Sequence, residues 1–408
     1  MALVKLNAGD FGEDGFSRAR LDGRELVLDA AVPGEEVLAS VKGSRAKVVE
    51  VLKPSDYRAD PGCKLFPVCP GCRWRHMGRK GQALFRAKVL EKTFGREPDQ
   101  VWQGPGDGWR YRAIFQVKKA GDMVYLGFEQ SRGMIYDLWA CPNLPESHSA
   151  LLERIKRFFK DQDVSFYSRL SNRGKLKAMG FFGGSEPENL VVALIAKRDI
   201  RSRLLAQKIA DLSPAVSGVA EINGDRVVGL FGEHHFFQKI GNFTYRMTPG
   251  ALWPENPFAH RKLAELVQQR VPAHSTVIEM GAGYLLSVHI SKPARVLVAD
   301  SNPQAVSELR SCVQANPEIQ AEVILDNLAD LSQERTDTEV FIVNSDRSNL
   351  RGFEPGNAFK ILIIGSRPDQ MAANHRYLTG AGFALEKLVA VEHKPHQHST
   401  LMVGEYVR

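Results

Sequence analysis

The chain has 408 residues, 43% hydrophobic and 25% charged, enough for two to four globular domains of ordinary composition. No apolar run reaches the roughly 18 residues that span a bilayer, and residues 1–12 lack the apolar core of a secretory signal, so a cytoplasmic protein with no membrane partner is expected. The formal charge of +7 favours an anionic partner, and five cysteines are too few and too unevenly placed for a disulfide scaffold.

In chain order, residues 1–58 read as short strands broken by turns at Asp10–Gly15, Leu21–Gly23 and Val32–Gly34, the texture of a small OB-like β-barrel. Residues 59–240 read as a central α+β unit. Its helical spacing lies at Gln82–Phe94 and Ala150–Phe159, and its strands at Ala113–Lys118, Met123–Phe128 and Leu190–Ile195. From 241 to 408 short apolar runs alternate with helical text, as expected of a Rossmann-like, doubly wound α/β domain. Ligands of such sheets sit at the strand C-termini, here Glu279, Asp300, Asp326, Asn344 and Gly365.

Two local features point to chemistry. Cys63, Cys69 and Cys72 are spaced C-x5-C-x2-C, and Cys141 can complete a set of four thiolates, which suits either zinc or an iron–sulfur cluster. Cys312 shares a helical face with Ala305, Leu309 and Val313 and reads as core. Residues 61–120 carry 13 Lys and Arg against four acids, a local +9 on a remainder of −2. Trp74, Trp109 and Tyr111 lie among Arg73, Arg75, Arg110 and Arg112, a mixture that suits phosphates and stacked bases of RNA.

These motifs resemble the bacterial RNA uracil-5-methyltransferase family. The match runs through Pro33-Gly34-Glu35, then Ser55, Arg58 and Pro61, the cysteine spacing with Pro70-Gly71, His76, Gln82, Lys88, the Trp109–Arg112 block and Cys141. The resemblance implies an N-terminal TRAM barrel, a central domain whose Cys63, Cys69, Cys72 and Cys141 hold a structural [4Fe-4S] cluster, and a class I methyltransferase domain. It also implies ribosomal or transfer RNA as partner, bound in part by Arg73, Trp74, Arg75, Arg110, Arg112 and Arg347. A monomer is expected.

In the methyltransferase domain the resemblance implies S-adenosylmethionine held by Glu279, Gly281, Gly283, Asp300 and Asn344, but the chemical positions depart from the pattern. Pro254 replaces a Gln in the Thr248–Asn256 segment, Leu285 a Gly, and Asn344 the Asp of an Asp-Pro-x-Arg motif that ends here at Arg347. Ser366 stands where the family has its nucleophilic Cys, and Leu401 where it has its Glu base. Carbon 5 of uracil reacts only after a thiolate adds to carbon 6, and an unactivated serine is a far weaker nucleophile.

Carbon 5 methylation and cofactor binding are therefore both in doubt, and the expected function is RNA binding by an iron–sulfur protein of methyltransferase ancestry. Two alternatives stay open: methylation of a target that needs no covalent activation, and a zinc-stabilised RNA-binding module without catalysis. Three further features are weighed. His393, His396 and His398 read as a solvated, RNA-adjacent strip rather than a metal site; Glu392 or Glu405 would have to shift to serve as base; and the Gly365–Arg367 turn offers backbone amides to an anion.

Overall fold

Five N-terminal strands, β1 (Leu3–Asn7), β2 (Ser17–Leu21), β3 (Arg24–Asp29), β4 (Glu36–Lys42) and β5 (Arg45–Lys53), form a sheet of order β1-β4-β5-β3-β2. Its two edges meet where Gly9 N donates to Arg18 O (2.6 Å) and Arg18 N to Asp10 O (3.1 Å), which curls the sheet toward a barrel. Alternate residues Val37 and Ala39 of β4 turn inward onto Leu6, Leu26, Leu28 and Ala46, the period-two pattern of a strand with one buried face. The computed structural model describes residues 3–129, 134–184, 186, 188–251, 253–281 and 285–408.

The cysteine-bearing segment is irregular and leads into α1 (Arg79–Phe94), which ends at Gly95, φ +71°, whose amide bonds Glu91 O at 2.8 Å. This left-handed C-terminal cap is a conformation that glycine adopts without strain. Next comes β6 (Gln100–Trp102).

The central sheet follows: β7 (Arg112–Ala120), β8 (Met123–Glu129), β9 (Ile135–Asp137), α2 (Glu146–Lys160), β10 (Leu176–Gly183), β11 (Leu190–Ala196), α3 (Arg203–Ala210), β12 (Val216–Asn223) and β13 (Arg226–Gly232). Its strand order is β13-β12-β11-β10-β7-β8-β9. β10 and β11 are buried on both faces: Phe181 and Val192 join one core with Leu151 and Ile155 of α2, while Phe182 and Val191 join another that reaches the C-terminal sheet. A hairpin of β14 (Phe236–Ile240) and β15 (Phe243–Met247) bridges to that sheet.

The C-terminal unit comprises α4 (Pro257–Arg270), β16 (Thr276–Met280), β17 (Arg295–Asp300), α5 (Pro303–Ala315), β18 (Glu322–Leu325), α6 (Leu328–Glu334), β19 (Val340–Asn344), β20 (Lys360–Gly365), α7 (Pro368–Gly380), β21 (Ala384–Val391) and β22 (Leu401–Val407). The sheet order is β18-β17-β16-β19-β20-β22-β21-β6, with β16 to β20 parallel and β22 antiparallel between β20 and β21. The five parallel strands are those expected from the apolar runs, and the direction of winding reverses between β16 and β19. The outer strand β6, in the stretch read as central, pairs with β21 instead. Cys312 is fully buried in α5, as expected. Among the described residues no helix is long and apolar enough to cross a membrane.

Candidate functional site

Cys63, Cys69, Cys72 and Cys141 line one small pocket with Leu65, Phe128 and Leu138. The segment 63–72 turns back on itself through Phe66 N to Cys63 O and Cys69 N to Leu65 O, which points three thiols at the loop after β9 that carries the fourth. Burial pushes the Cys69, Cys72 and Cys141 thiols up, Cys72 to about 11, although donors face them: Asn143 Nδ2 lies 3.1 Å from Cys72 Sγ, and backbone amides bond Cys69 and Cys141. N–H donors and the nearby Arg75 and Arg110 charges favour anionic sulfur, so the donor set fits a group that binds thiolates. Among the described residues the one trio of acid, histidine or cysteine ligand atoms gathered within 4.8 Å is Glu233, His234 and His235, so no three of the four sulfurs lie mutually within that distance.

A second, larger cavity of 570 Å³ opens at the C-terminal ends of β19 and β20. Four of the five departures line it: Pro254, Asn344, Ser366 and Leu401. Arg110 and Arg112 close one side. Arg110 Nε bonds Glu255 Oε2 at 2.7 Å, and Arg112 Nη1 bonds the carbonyls of Ala251 (2.6 Å) and Trp253 (2.5 Å). Burial disfavours charge on Glu255, but Arg110 and Lys394 outweigh it and bring the carboxyl down to about 2. Asn256, retained from the motif, is engaged within the protein. Its Oδ1 caps α4 through the amides of Phe258 and Ala259, and its Nδ2 holds His393 O at 2.9 Å.

Ser366 follows Gly365, where a Cβ would meet Ser345 Oγ at 2.1 Å, so glycine is required for β20 to pass this close to β19. The Ser366 amide donates to both Asp346 carboxylate oxygens, at 2.9 and 3.0 Å. The Gly365–Arg367 turn therefore already holds an internal anion, which corrects the expectation that its amides await a ligand. The Ser366 hydroxyl has no hydrogen bond to a histidine or acid among the described residues, so nothing activates it. Leu401 is buried in the core at the start of β22.

The groups expected to hold a nucleoside cofactor are engaged within the protein. Glu279 accepts from Leu286 N (3.0 Å), Ser287 N (2.7 Å) and Ser287 Oγ (2.6 Å). Asp300 is paired with Arg347, and Asn344 ends β19 at the margin of the 570 Å³ cavity. Gly281 has φ +74°, as a tight turn requires, whereas Gly283 lies outside the described residues. Leu285 adopts φ +48° with its side chain fully buried, so a β-strand-to-helix turn shaped for glycine is carried by leucine. Glu279 and Asp300 thus have their carboxylates taken up by contacts within the protein.

The basic, aromatic segment is also different from expectation. Trp74, Trp109 and Tyr111 are buried and offer no face for base stacking. Trp74 packs with Val32, Met77 and Phe85 where the barrel meets α1, its Nε1 bonded to Gly15 O. Arg73 binds Asp14 O and covers the Phe16 ring, and Arg75 is buried against Pro61 O, Asn143 and Asp107. These three residues join parts of the protein to one another. Arg110, Arg112 and Arg347 do line the large cavity.

The histidine strip is likewise internal, contrary to the solvated segment expected. Gln82 of α1 bonds His396 on both its amide and its ring, and Gln397 reaches back to Gly71 O. Burial lowers His393 to about 3 and His396 and His398 to about 4, so all three are neutral near pH 7. His393 lines the large cavity and its Nδ1 is buried without a partner. Neither Glu392 nor Glu405 reaches that cavity: Glu392 is sealed between Arg79 and Arg86, and Glu405 between Arg270 and Lys360. Sequence reasoning missed Glu255 and Asp346, although each lies inside a motif it inspected.

No protein-family model matches the chain. An RNA methyltransferase of Caulobacter vibrioides is 23% identical over the full length of both chains, and one of Halalkalibacterium halodurans is 23% identical over 77% of this chain and 75% of its own. The 23S rRNA (uracil(1939)-C(5))-methyltransferase of an Azoarcus species is 34% identical over 35% of this chain and 36% of its own. In fold, the Pyrococcus abyssi tRNA (uracil-54, C5)-methyltransferase, solved with S-adenosyl-L-homocysteine, superposes with a TM-score of 0.77 at 19% identity, covering 99% of this chain and all of the other. Relatives similar to this chain thus carry the names of RNA (uracil-5-)-methyltransferases, the family that its N-terminal motifs resemble.

Proposed function

We propose that this chain is an RNA-binding iron–sulfur protein built on the methyltransferase fold, and that its large cavity receives a nucleotide without methylating carbon 5. The observation that carries this reading is the convergence of Pro254, Asn344, Ser366 and Leu401 on one cavity with no thiol and no free acid among them. The two acids that do line it are committed, Glu255 to Arg110 and Lys394, and Asp346 to the Ser366 amide. What remains is a polar, partly cationic recess lined by Arg110, Arg112, Arg347 and His393, suited to hydrogen-bond the edge of a base.

Residues 1–58 supply the TRAM barrel and 59–240 the cluster-bearing unit in this reading. That no three of the sulfurs lie mutually within 4.8 Å supports a cluster over a single zinc ion. A tetrahedral zinc with Zn–S of about 2.3 Å would draw its sulfurs to about 3.8 Å apart, and the four thiols are not gathered within 4.8 Å.

The test is nucleoside analysis by mass spectrometry of unmodified ribosomal and transfer RNA incubated with the protein and S-adenosylmethionine, alongside filter binding of the same RNA. Binding without 5-methyluridine is expected. Formation of 5-methyluridine overturns the reading.

A further inference from the structure

In an open α/β sheet the ligand crevice lies beyond the strand C-termini where the winding reverses, here between β16 and β19. Arg347, three residues past the end of β19, reaches across this crevice to Asp300 at the end of β17. Its Nε and one terminal nitrogen lie 2.9 and 2.6 Å from Asp300 Oδ2. The other carboxylate oxygen accepts from Asn302 N at 2.8 Å. The Asp300 side chain is only 3% exposed, so both lone-pair faces that a ribose diol would use are taken.

The fit is equally close on the strand between them. At Gly281 a Cβ would stand 3.0 Å from Asn344 O and 3.1 Å from Arg347 Cβ, so Gly281 packs directly on the segment after β19. The Glu279 carboxylate, the other acid of the crevice, is saturated by Leu286 and Ser287.

We infer that Arg347 is a standing internal occupant of the cofactor crevice, and that through its pair with Asp300 this chain excludes nucleoside cofactors. The pair is self-reinforcing. Withdrawing Arg347 would leave a buried carboxylate without a counter-charge, so a neutral ribose hydroxyl competes poorly with the guanidinium. Arg347 also lines the 570 Å³ cavity, so cofactor binding and RNA affinity are read separately.

Equilibrium dialysis with labelled S-adenosyl-L-homocysteine tests it. The wild-type protein should show no saturable binding up to about 1 mM. Arg347→Ala should bind at least about tenfold more tightly than wild type. Because an unpaired Asp300 can weaken folding, Arg347→Gln, which keeps an amide donor without the charge, is measured in parallel, with melting temperature and RNA affinity recorded for each protein. Micromolar binding by wild type overturns the inference. So does a folded Arg347→Ala or Arg347→Gln that gains no affinity, and so does wild-type binding that appears once RNA is added, since that would make Arg347 a gate.

Discussion

Arg86 and Glu392, 306 residues apart in sequence, form an ion pair at 3.0 Å in which neither side chain has any solvent exposure. Arg86 also holds Gln397 O, Ser399 O and Thr400 Oγ1, so one guanidinium from α1 fixes the whole loop before β22. Arg79 binds the same carboxylate from two turns earlier. Removing one partner of such a pair strands a buried charge, which costs about 3–5 kcal/mol. Arg86→Ala and Glu392→Ala should each lower stability to urea by about that amount, and the double variant by clearly less than their sum. Additive losses would show that the pair is not coupled.

The cysteine pocket leads to a second expectation. Protein purified without oxygen should be brown and carry about four irons with matching sulfide, and Cys63→Ser or Cys141→Ser should each remove most of the colour. Metal analysis that returns one zinc and no iron per chain would replace the cluster assignment with a mononuclear site.

The exposed cations of the +9 stretch, rather than its arginine–tryptophan pairs, should meet RNA phosphates. Lys88 and Lys92 line a 520 Å³ groove between the barrel and the C-terminal unit, and their contacts with Asp10 (3.4 Å) and Glu13 (3.5 Å) are solvated pairs of little worth. Affinity should fall steeply between about 50 and 200 mM salt, and Lys88→Ala and Lys92→Ala should each reduce the log–log slope by about one. Arg75→Ala should act instead through stability. A slope unchanged in both lysine variants would move the phosphate track elsewhere.

The same contrast between local and distant partners separates what the sequence makes legible from what it hides. The parallel strands β16, β17, β19 and β20 are legible because strands buried on both faces are continuous apolar runs, and the cysteines because their spacing is local. Three residues of β6 carry no periodicity, so their pairing with β21 cannot be seen. Arg75 and Arg86 look like surface charges because their partners, Asp107, Asn143 and Glu392, are distant in sequence. The histidine strip misleads for the same reason: its burial is made by α1, which precedes it by some 300 residues. The positions 254, 344, 366 and 401 can be named from the family pattern, but their convergence on one cavity is a property of the fold.

Restoring the nucleophile alone should not restore carbon 5 chemistry. Ser366→Cys places a thiol beside Asp346, whose carboxylate already accepts from the backbone amide of position 366 and would oppose a thiolate. Leu401→Glu would bury an acid at a site 2% exposed and packed in the core, and should lower stability by roughly 2–4 kcal/mol. Neither single variant nor the pair should yield 5-methyluridine in transfer or ribosomal RNA by mass spectrometry. Product from Ser366→Cys would mean that one atom separates this chain from activity.

The loop before β22 should also set the acid limit of the fold. Burial, joined by the Lys394 and Arg86 charges, lowers His393 to about 3; burial with Arg75 and Arg79 lowers His396, and burial with Arg73 lowers His398, each to about 4. These values lie below the ordinary 6.5, so as pH falls the unfolded chain takes up protons before the folded one does. Their contribution is whole above about pH 6.5 and is lost progressively toward pH 4, at about 1.4 kcal/mol per pH unit for each histidine. Glu255, lowered to about 2, adds a loss that begins below its ordinary range near 4.5. Melting temperature should therefore be flat from pH 8 to about 7 and drop steeply from about 6 to 5, before most carboxylates titrate. His393→Gln should shift the whole curve down by its packing loss and flatten the slope between about pH 6 and 5 by about one proton. A wild-type melting temperature that holds steady to pH 5 would show that these histidines are accessible and charged in the folded protein.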